Sequence, residues 1–230
     1  MTAIFLYSLM SFLALGVGWR SNISYRKTQD KALLYFSIAF ISIGIYLGSL
    51  PVFLVLNLEP LIVGKLMSMT RMFIFVAVIF LFKTPIFKLT FLNSNAITYL
   101  LIVIALVVTG FRLLFPVEPT ISEFGVIALN LPLWVGFLSG FPAMFVSVMW
   151  YWQYMKNLPE RVSLVFKTRS YLLCIGGVML GISDISYTLS QNIETSFLGS
   201  SIGVVGYVFV LVSIVMPSIR RYVTAKPELG

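Results

Sequence analysis

Seven long apolar stretches, at residues 2–19, 32–56, 61–82, 96–111, 124–152, 170–189 and 198–219, fill most of this 230-residue chain. Each is near the length of roughly 20 residues that carries an α-helix across the ~30 Å hydrocarbon core of a bilayer. A helix that is apolar all round must be surrounded by protein or by lipid, and the short links leave no protein to do it. In hydrocarbon a helix satisfies its backbone N–H and C=O groups internally, so these stretches read as spans. The expected fold is all-α: a polytopic membrane protein whose residues 1–230 form a single seven-transmembrane-helix bundle. Composition agrees, with 10% charged residues against about 25% in soluble domains. Pro132 and Pro142 fall inside the fifth stretch and predict a tilt or kink there.

Charge fixes the expected orientation. Arg20, Arg26, Lys27 and Lys31 follow the first stretch, and Lys83 and Lys88 follow the third. Lys156, Arg161, Lys167 and Arg169 follow the fifth, and Arg220, Arg221 and Lys226 follow the last. These are 13 of the 16 basic residues, all on one side of the expected bundle. The other side holds Glu59, Glu118, Glu123 and Glu194, with Arg112 as its one cation. Basic loops stay in the cytoplasm, so the N-terminus is expected outside and the C-terminus inside a cell membrane. The first stretch has no basic residue before it and a basic loop after it, the reverse of a secretory signal. Trp19, Trp150, Trp152, Tyr154 and Tyr222 are expected as anchors in the cytoplasmic headgroup layer. The net charge of +8 is explained by these loops, so no nucleic-acid partner is expected; the partners are the lipid bilayer and another membrane protein or a second copy of the chain.

Several chemistries are excluded or disfavoured. The chain has no histidine, which removes a Ser-His-Asp triad, imidazole metal ligation and a histidine phosphoacceptor. Cys174 is the sole cysteine, so neither an intrachain disulfide nor a thiolate metal cluster forms. No paired carboxylates lie within the spans. No catalytic residues, metal site or enzyme activity are expected.

Three charges remain inside the spans: Lys65 and Arg71 in the third, Asp184 in the sixth. A charge at the bilayer centre costs roughly 2.5–3.5 kcal/mol on insertion scales, so each needs a partner or a wet cavity. Lys65 and Asp184 are expected at similar depth toward the outer side, with Arg71 about 9 Å deeper than Lys65. Ser68 is three residues from each of Lys65 and Arg71, so the three share one side of the helix. Gly177, Gly181 and Asp184 share a face, and the glycine pair lets another helix approach closely, which turns Asp184 toward protein. Gly199 and Gly203, and Gly136 and Gly140, repeat the small-residue spacing and are likewise expected at helix contacts.

Two readings of the charges stand. In one, Asp184 pairs with Lys65 or Arg71 only to set the registry of the third and sixth spans, with Lys65 also free to snorkel outward. In the other, Lys65, Ser68, Arg71, Asn130, Asp184 and Tyr187, aided by Thr70 and Ser183, line a polar cavity that opens outward between the third, fifth and sixth spans. Two cations against one carboxylate suit an anionic group, either a small ligand or a lipid headgroup.

Microbial rhodopsins share the span count and orientation but bind retinal through a lysine in the last span. Residues 198–219 hold none, so retinal of that kind is excluded and no cofactor is expected. Gly44-Ile45 and Gly181-Ile182, each in a span that follows a basic loop, resemble the two repeats of SWEET-type sugar transporters, whose Pro-Gln signature is not found. The basic first loop from Arg26-Lys27 to Lys31, the cationic 66–75 stretch and the basic exit Arg220-Arg221-Tyr222 resemble the seven-helix N-terminal sensory modules of bacterial and archaeal receptors. That resemblance implies a membrane sensor. Such modules often precede a histidine kinase or cyclase; a chain ending at Gly230 would signal through a partner, or has had its output domain removed. The alternatives are a secondary transporter with Asp184 as the proton- or cation-coupling residue, and an accessory subunit of a membrane complex.

Overall fold

The computed structural model describes residues 2–56, 58–83, 94–121, 127–156, 164–190 and 192–215. Lys88, Glu123, Phe124, Glu160, Arg161, Arg220, Arg221, Tyr222 and Lys226 lie outside these described residues. Helix α1 (Thr2–Thr28) and helix α2 (Lys31–Val55) form a tight hairpin joined by two residues. Gln29 takes the left-handed conformation that ends a helix (φ 55°), and the Asp30 carboxylate accepts the Ala32 N–H at 3.0 Å to start the next. The first helix therefore runs past the expected 2–19 to Thr28, since nothing between breaks it and its polar last turns lie exposed.

Helices α3 (Pro60–Thr70) and α4 (Met72–Phe82) make one span, separated at Arg71. Helix α5 (Ser94–Leu114) follows. A short antiparallel pair, β1 (Thr120–Ile121) with β2 (Ile127–Ala128), sits where the expected fifth span would begin. Helix α6 (Leu133–Lys156) starts only after Pro132, so the expected 124–152 span is corrected and Pro142 alone lies inside the helix. Helices α7 (Leu164–Thr188) and α8 (Ile193–Val215) complete the chain's described part.

Among the described residues, six helical stretches are long and apolar enough to cross a bilayer: Lys31–Val55, Pro60–Phe82, Asn95–Leu114, Leu133–Trp152, Lys167–Thr188 and Glu194–Ser213. Large apolar side chains also cover the outside of the bundle, among them Leu100, Leu106, Phe141 and Val208, all exposed. Such a continuous apolar surface suits lipid and not water. The fold is that of a multi-pass membrane protein.

The closest helix contacts are α1 with α2, α6 with α7, and α7 with α8; α2 also packs on α4, and α5 lies against α3, α4 and α6. Small residues permit the close contacts. A side chain at Gly140 would strike the Gly181 carbonyl, and one at Gly181 would strike Met144. Gly177 faces Ser147, Gly136 faces Leu189, Gly199 faces Ser186 and Tyr187, and Gly203 faces Ser183. All six glycines singled out in the sequence thus lie at α6–α7 or α7–α8 contacts. Gly176 against Gly206 adds a further close approach that the spacing did not single out.

The link between α5 and α6 folds back over one end of the bundle. Leu131 N–H donates to the Thr188 carbonyl (3.2 Å), and Ser196 Oγ donates to the Ile127 carbonyl (2.6 Å). The link's own residues Ile127, Ala128, Leu129 and Leu131 are buried. This end, which carries the β1–β2 pair, is the hairpin end, as distinct from the α1–α2 turn at the other end; Glu59, Glu118 and Glu194 are exposed there. Arg20, Arg26, Lys27, Lys31 and Lys83 are exposed at the opposite, basic end. Trp19 and Trp152 are also exposed there, whereas Trp150 is not: it is buried, edge-on to Phe36 (ring centroids 5.1 Å), and its indole N–H donates to the Leu81 carbonyl at 3.2 Å. Trp150 lies on the face of α6 that looks into the bundle, so its expected role as an interface anchor is corrected.

Candidate functional site

The span formed by α3 and α4 is broken where it carries its deepest charge. The Arg71 carbonyl accepts from Ile74 N–H at 3.0 Å and only weakly from Phe75 N–H at 3.4 Å, a tightened turn of 3₁₀ type inside a helical span. From this turn the Arg71 side chain enters the protein, 2% exposed. Its Nη2 is ion-paired with Asp184 Oδ1 of α7. Its Nη1 donates to the Tyr46 hydroxyl of α2 at 3.3 Å, and the guanidinium stands 5.9 Å from the Tyr46 ring centroid, within cation–π range. One arginine thereby ties together α2, α4 and α7.

The ion pair does not satisfy every group. Arg71 Nε and Asp184 Oδ2 have no hydrogen-bond partner among the described residues. A second guanidinium, Arg112 in the last turn of α5, is also 2% exposed and shares the electrostatic surroundings of Arg71, Tyr46 and Tyr187. Its Nη1 is unpartnered among the described residues. Arg112 is therefore not the exposed loop cation expected from the sequence. The helix runs on to Leu114 and the α5–α6 link folds over that end. Buried charge in this neighbourhood is two cations against one carboxylate.

Beside this cluster lies an interior cavity of about 220 Å³, bounded by α1, α2, α4, α6, α7 and α8. Its polar lining gathers toward the hairpin end: Tyr7, Tyr46, Ser139, Ser183, Asp184 and Tyr187. Toward the basic end it is mostly apolar, with Phe36, Leu81, Val146, Trp150, Leu173 and Val210; Ser147 there spends its hydroxyl on the Ala143 carbonyl at 2.8 Å. Tyr207, midway, donates its hydroxyl to the Met10 carbonyl at 3.2 Å across the seam of α1 and α8. Along α7 the lining extends from Leu173 to Tyr187, about 21 Å at 1.5 Å per residue.

Of the six residues expected to bind ligand, the structure brings together Arg71, Asp184 and Tyr187, and leaves three apart. Lys65 is exposed on α3 and does not line the cavity; Asp184 takes Arg71 as its partner instead. Ser68 is buried but spends its hydroxyl on the Gly64 carbonyl at 2.8 Å, and Thr70 bonds the Met67 carbonyl at 3.2 Å. Asn130 is exposed beside the hairpin. Ser183 does line the cavity. The expected lining by the third, fifth and sixth spans extends to α1, α2 and α8. Tyr7, Tyr46, Ser139 and Arg112 were not singled out in the sequence. Tyrosines deep within the first two spans were the available signal for the first two, since a phenol in hydrocarbon seeks a partner.

Comparison with protein-family models, with curated proteins and with solved structures finds nothing that matches this chain.

Proposed function

We propose that the protein is a receptor-like membrane module that takes a small or lipidic ligand into its interior cavity and answers by shifting between two bundle arrangements. It would sit in a cell membrane with seven spans, α1 included, its N-terminus outside and its basic end in the cytoplasm. The observation that carries the reading is the cavity of about 220 Å³ abutting the Arg71–Asp184 pair. Arg71 links three helices at one point, so an occupant that touches Asp184 is able to bias how α2, α4 and α7 sit together. A ligand shifts such an equilibrium only through different affinity for the two states. Lipid extracted from protein purified out of its own membrane, compared by mass spectrometry with bulk membrane lipid, tests the idea. One species enriched in stoichiometric amount supports it, and recovery of bulk lipid alone counts against it.

A second reading is a secondary transporter with Asp184 as coupling residue. The tightened turn at Arg71 and Pro142 inside α6 favour it, because local departures from regular helix within spans are where transporters bind their cargo. Flux into proteoliposomes that is lost in Asp184→Asn would establish it.

A further inference from the structure

Resting on the cavity reading above, we infer the chemical class of the occupant: a neutral, medium-length apolar molecule with one hydroxyl at the end that faces the hairpin side. Three observations converge on this. The first is size. An apolar cavity of ~150 Å³ admits benzene, so 220 Å³ holds about nine carbons in proportion.

The second is polarity along the cavity. The basic-end half offers hydrocarbon and aromatic walls closed by the Phe36–Trp150 contact, while the hairpin half offers hydroxyls and a carboxylate. One polar end and one apolar end are therefore required of the ligand.

The third is which polar atoms are left over. Ser139 lines the cavity, is 3% exposed, and its Oγ has no hydrogen-bond partner among the described residues. Asp184 Oδ2 is in the same condition. The contacts of Gly136 with Leu189, Gly140 with Gly181, and Gly177 with Ser147 set the register of the antiparallel pair α6 and α7, and place Ser139 level with Asp184. A carboxylate oxygen only accepts, whereas a serine hydroxyl both donates and accepts. An alcohol matches the two together once the side chains of Ser139 and Asp184, whose free oxygens are covered in this structure, turn toward the cavity: its O–H donates to Asp184 Oδ2, and its oxygen accepts from Ser139.

Charged heads fit less well. A carboxylate would face Asp184 directly, since Arg71 is not among the cavity-lining residues. An ammonium would find Asp184 already neutralised by Arg71, with Arg112 as surplus positive charge nearby. The positive surplus behind the anionic ligand expected from the sequence persists, with Arg112 in place of Lys65, but neither Arg71 nor Arg112 lines the cavity.

The test compares 1-decanol, decanoate and decylamine as stabilisers of the purified protein in detergent, read by thermal unfolding, on the wild type and on Ser139→Ala, Asp184→Asn and the cavity-filling Ala143→Phe. Decanol is expected to raise the melting temperature at concentrations at least fivefold below the other two. Ser139→Ala should weaken that response severalfold, and Ala143→Phe should abolish it. If Ala143→Phe does not fold, Leu180→Phe takes its place. Stabilisation by decanoate or decylamine at lower concentration than decanol, lost on filling the cavity, overturns the hydroxyl assignment and leaves the cavity reading standing. A decanol response unchanged by filling the cavity means action through the micelle, and overturns both.

Discussion

Arg71, Asp184 and Arg112 make an unequal set, and the inequality predicts which deletions hurt. Removing one partner of a buried ion pair typically costs about 3–5 kcal/mol, because the other charge stays buried and uncompensated. Asp184→Leu would leave two guanidiniums together, one of them the 2% exposed Arg71, whereas Arg71→Met leaves a single carboxylate that is 19% exposed. Asp184→Leu should therefore be the more damaging single change. The double variant Arg71→Met/Asp184→Leu should recover most of the loss, since well-packed apolar replacements for a buried pair are often neutral. Reversible unfolding in mixed detergent micelles measures all three; equal costs for the singles and an additive double would show that the pair is uncoupled. The presence of ions inside the spans was legible in the sequence, because hydrocarbon leaves so few places for them. Their pairing was not. Lys65 and Arg71 are six residues apart on one helix, and only the path of α3 and α4 decides which of them points inward. Arg112 was misplaced because its depth depends on where α5 ends and on a link that folds back, neither of which hydropathy encodes.

At the level of elements, the glycines divide into those that hold helices together and those that touch nothing. Gly140 and Gly181 sit back to back, and a side chain on either would meet backbone of the other helix, which cannot yield as a side-chain end can. Gly140→Val or Gly181→Val should cost at least the 1–3 kcal/mol typical of overpacking, read as a lower melting temperature. A methyl group added at Gly16 or Gly110 would find nothing within 4 Å, so Gly16→Ala and Gly110→Ala should be neutral or stabilise by up to about 1 kcal/mol. A loss at Gly110 as large as at Gly181 would contradict the packing. Small-residue spacing was readable from the sequence because close approach demands it at i and i+4. The start of α6 was not, since the 124–132 segment is apolar enough to be counted as span. Its hydrophobicity serves burial of Ile127, Leu129 and Leu131 of the link against the bundle core, and Pro132 marks the true boundary.

At the scale of the whole molecule, α1 and α2 lie side by side along their lengths. Ser11 donates to the Gly44 carbonyl at 2.7 Å, a side chain at Gly18 would press on Ile41, and Tyr7 reaches the same cavity as Tyr46. A helix that accompanies a span over that distance and lines the bundle interior with it is placed to cross with it, which is the ground for proposing α1 as the seventh span. With α1 crossing, an odd number of spans would put the two ends of the bundle on opposite sides, and the basic loops would then place the C-terminal side in the cytoplasm. Cys174 is the sole cysteine, so Cys174→Ala provides a background free of thiols for mapping this. Glu118→Cys at the hairpin end and Lys83→Cys at the basic end replace exposed residues. On intact cells, a membrane-impermeant maleimide should label position 118 and not 83, with both labelled after permeabilisation. Ile4→Cys should label with 118 when α1 crosses, and with 83 when α1 turns back on the cytoplasmic face. Labelling of 83 alone on intact cells would invert the bundle, and the polar half of the cavity, with Asp184 and Ser139, would then face the cytoplasm.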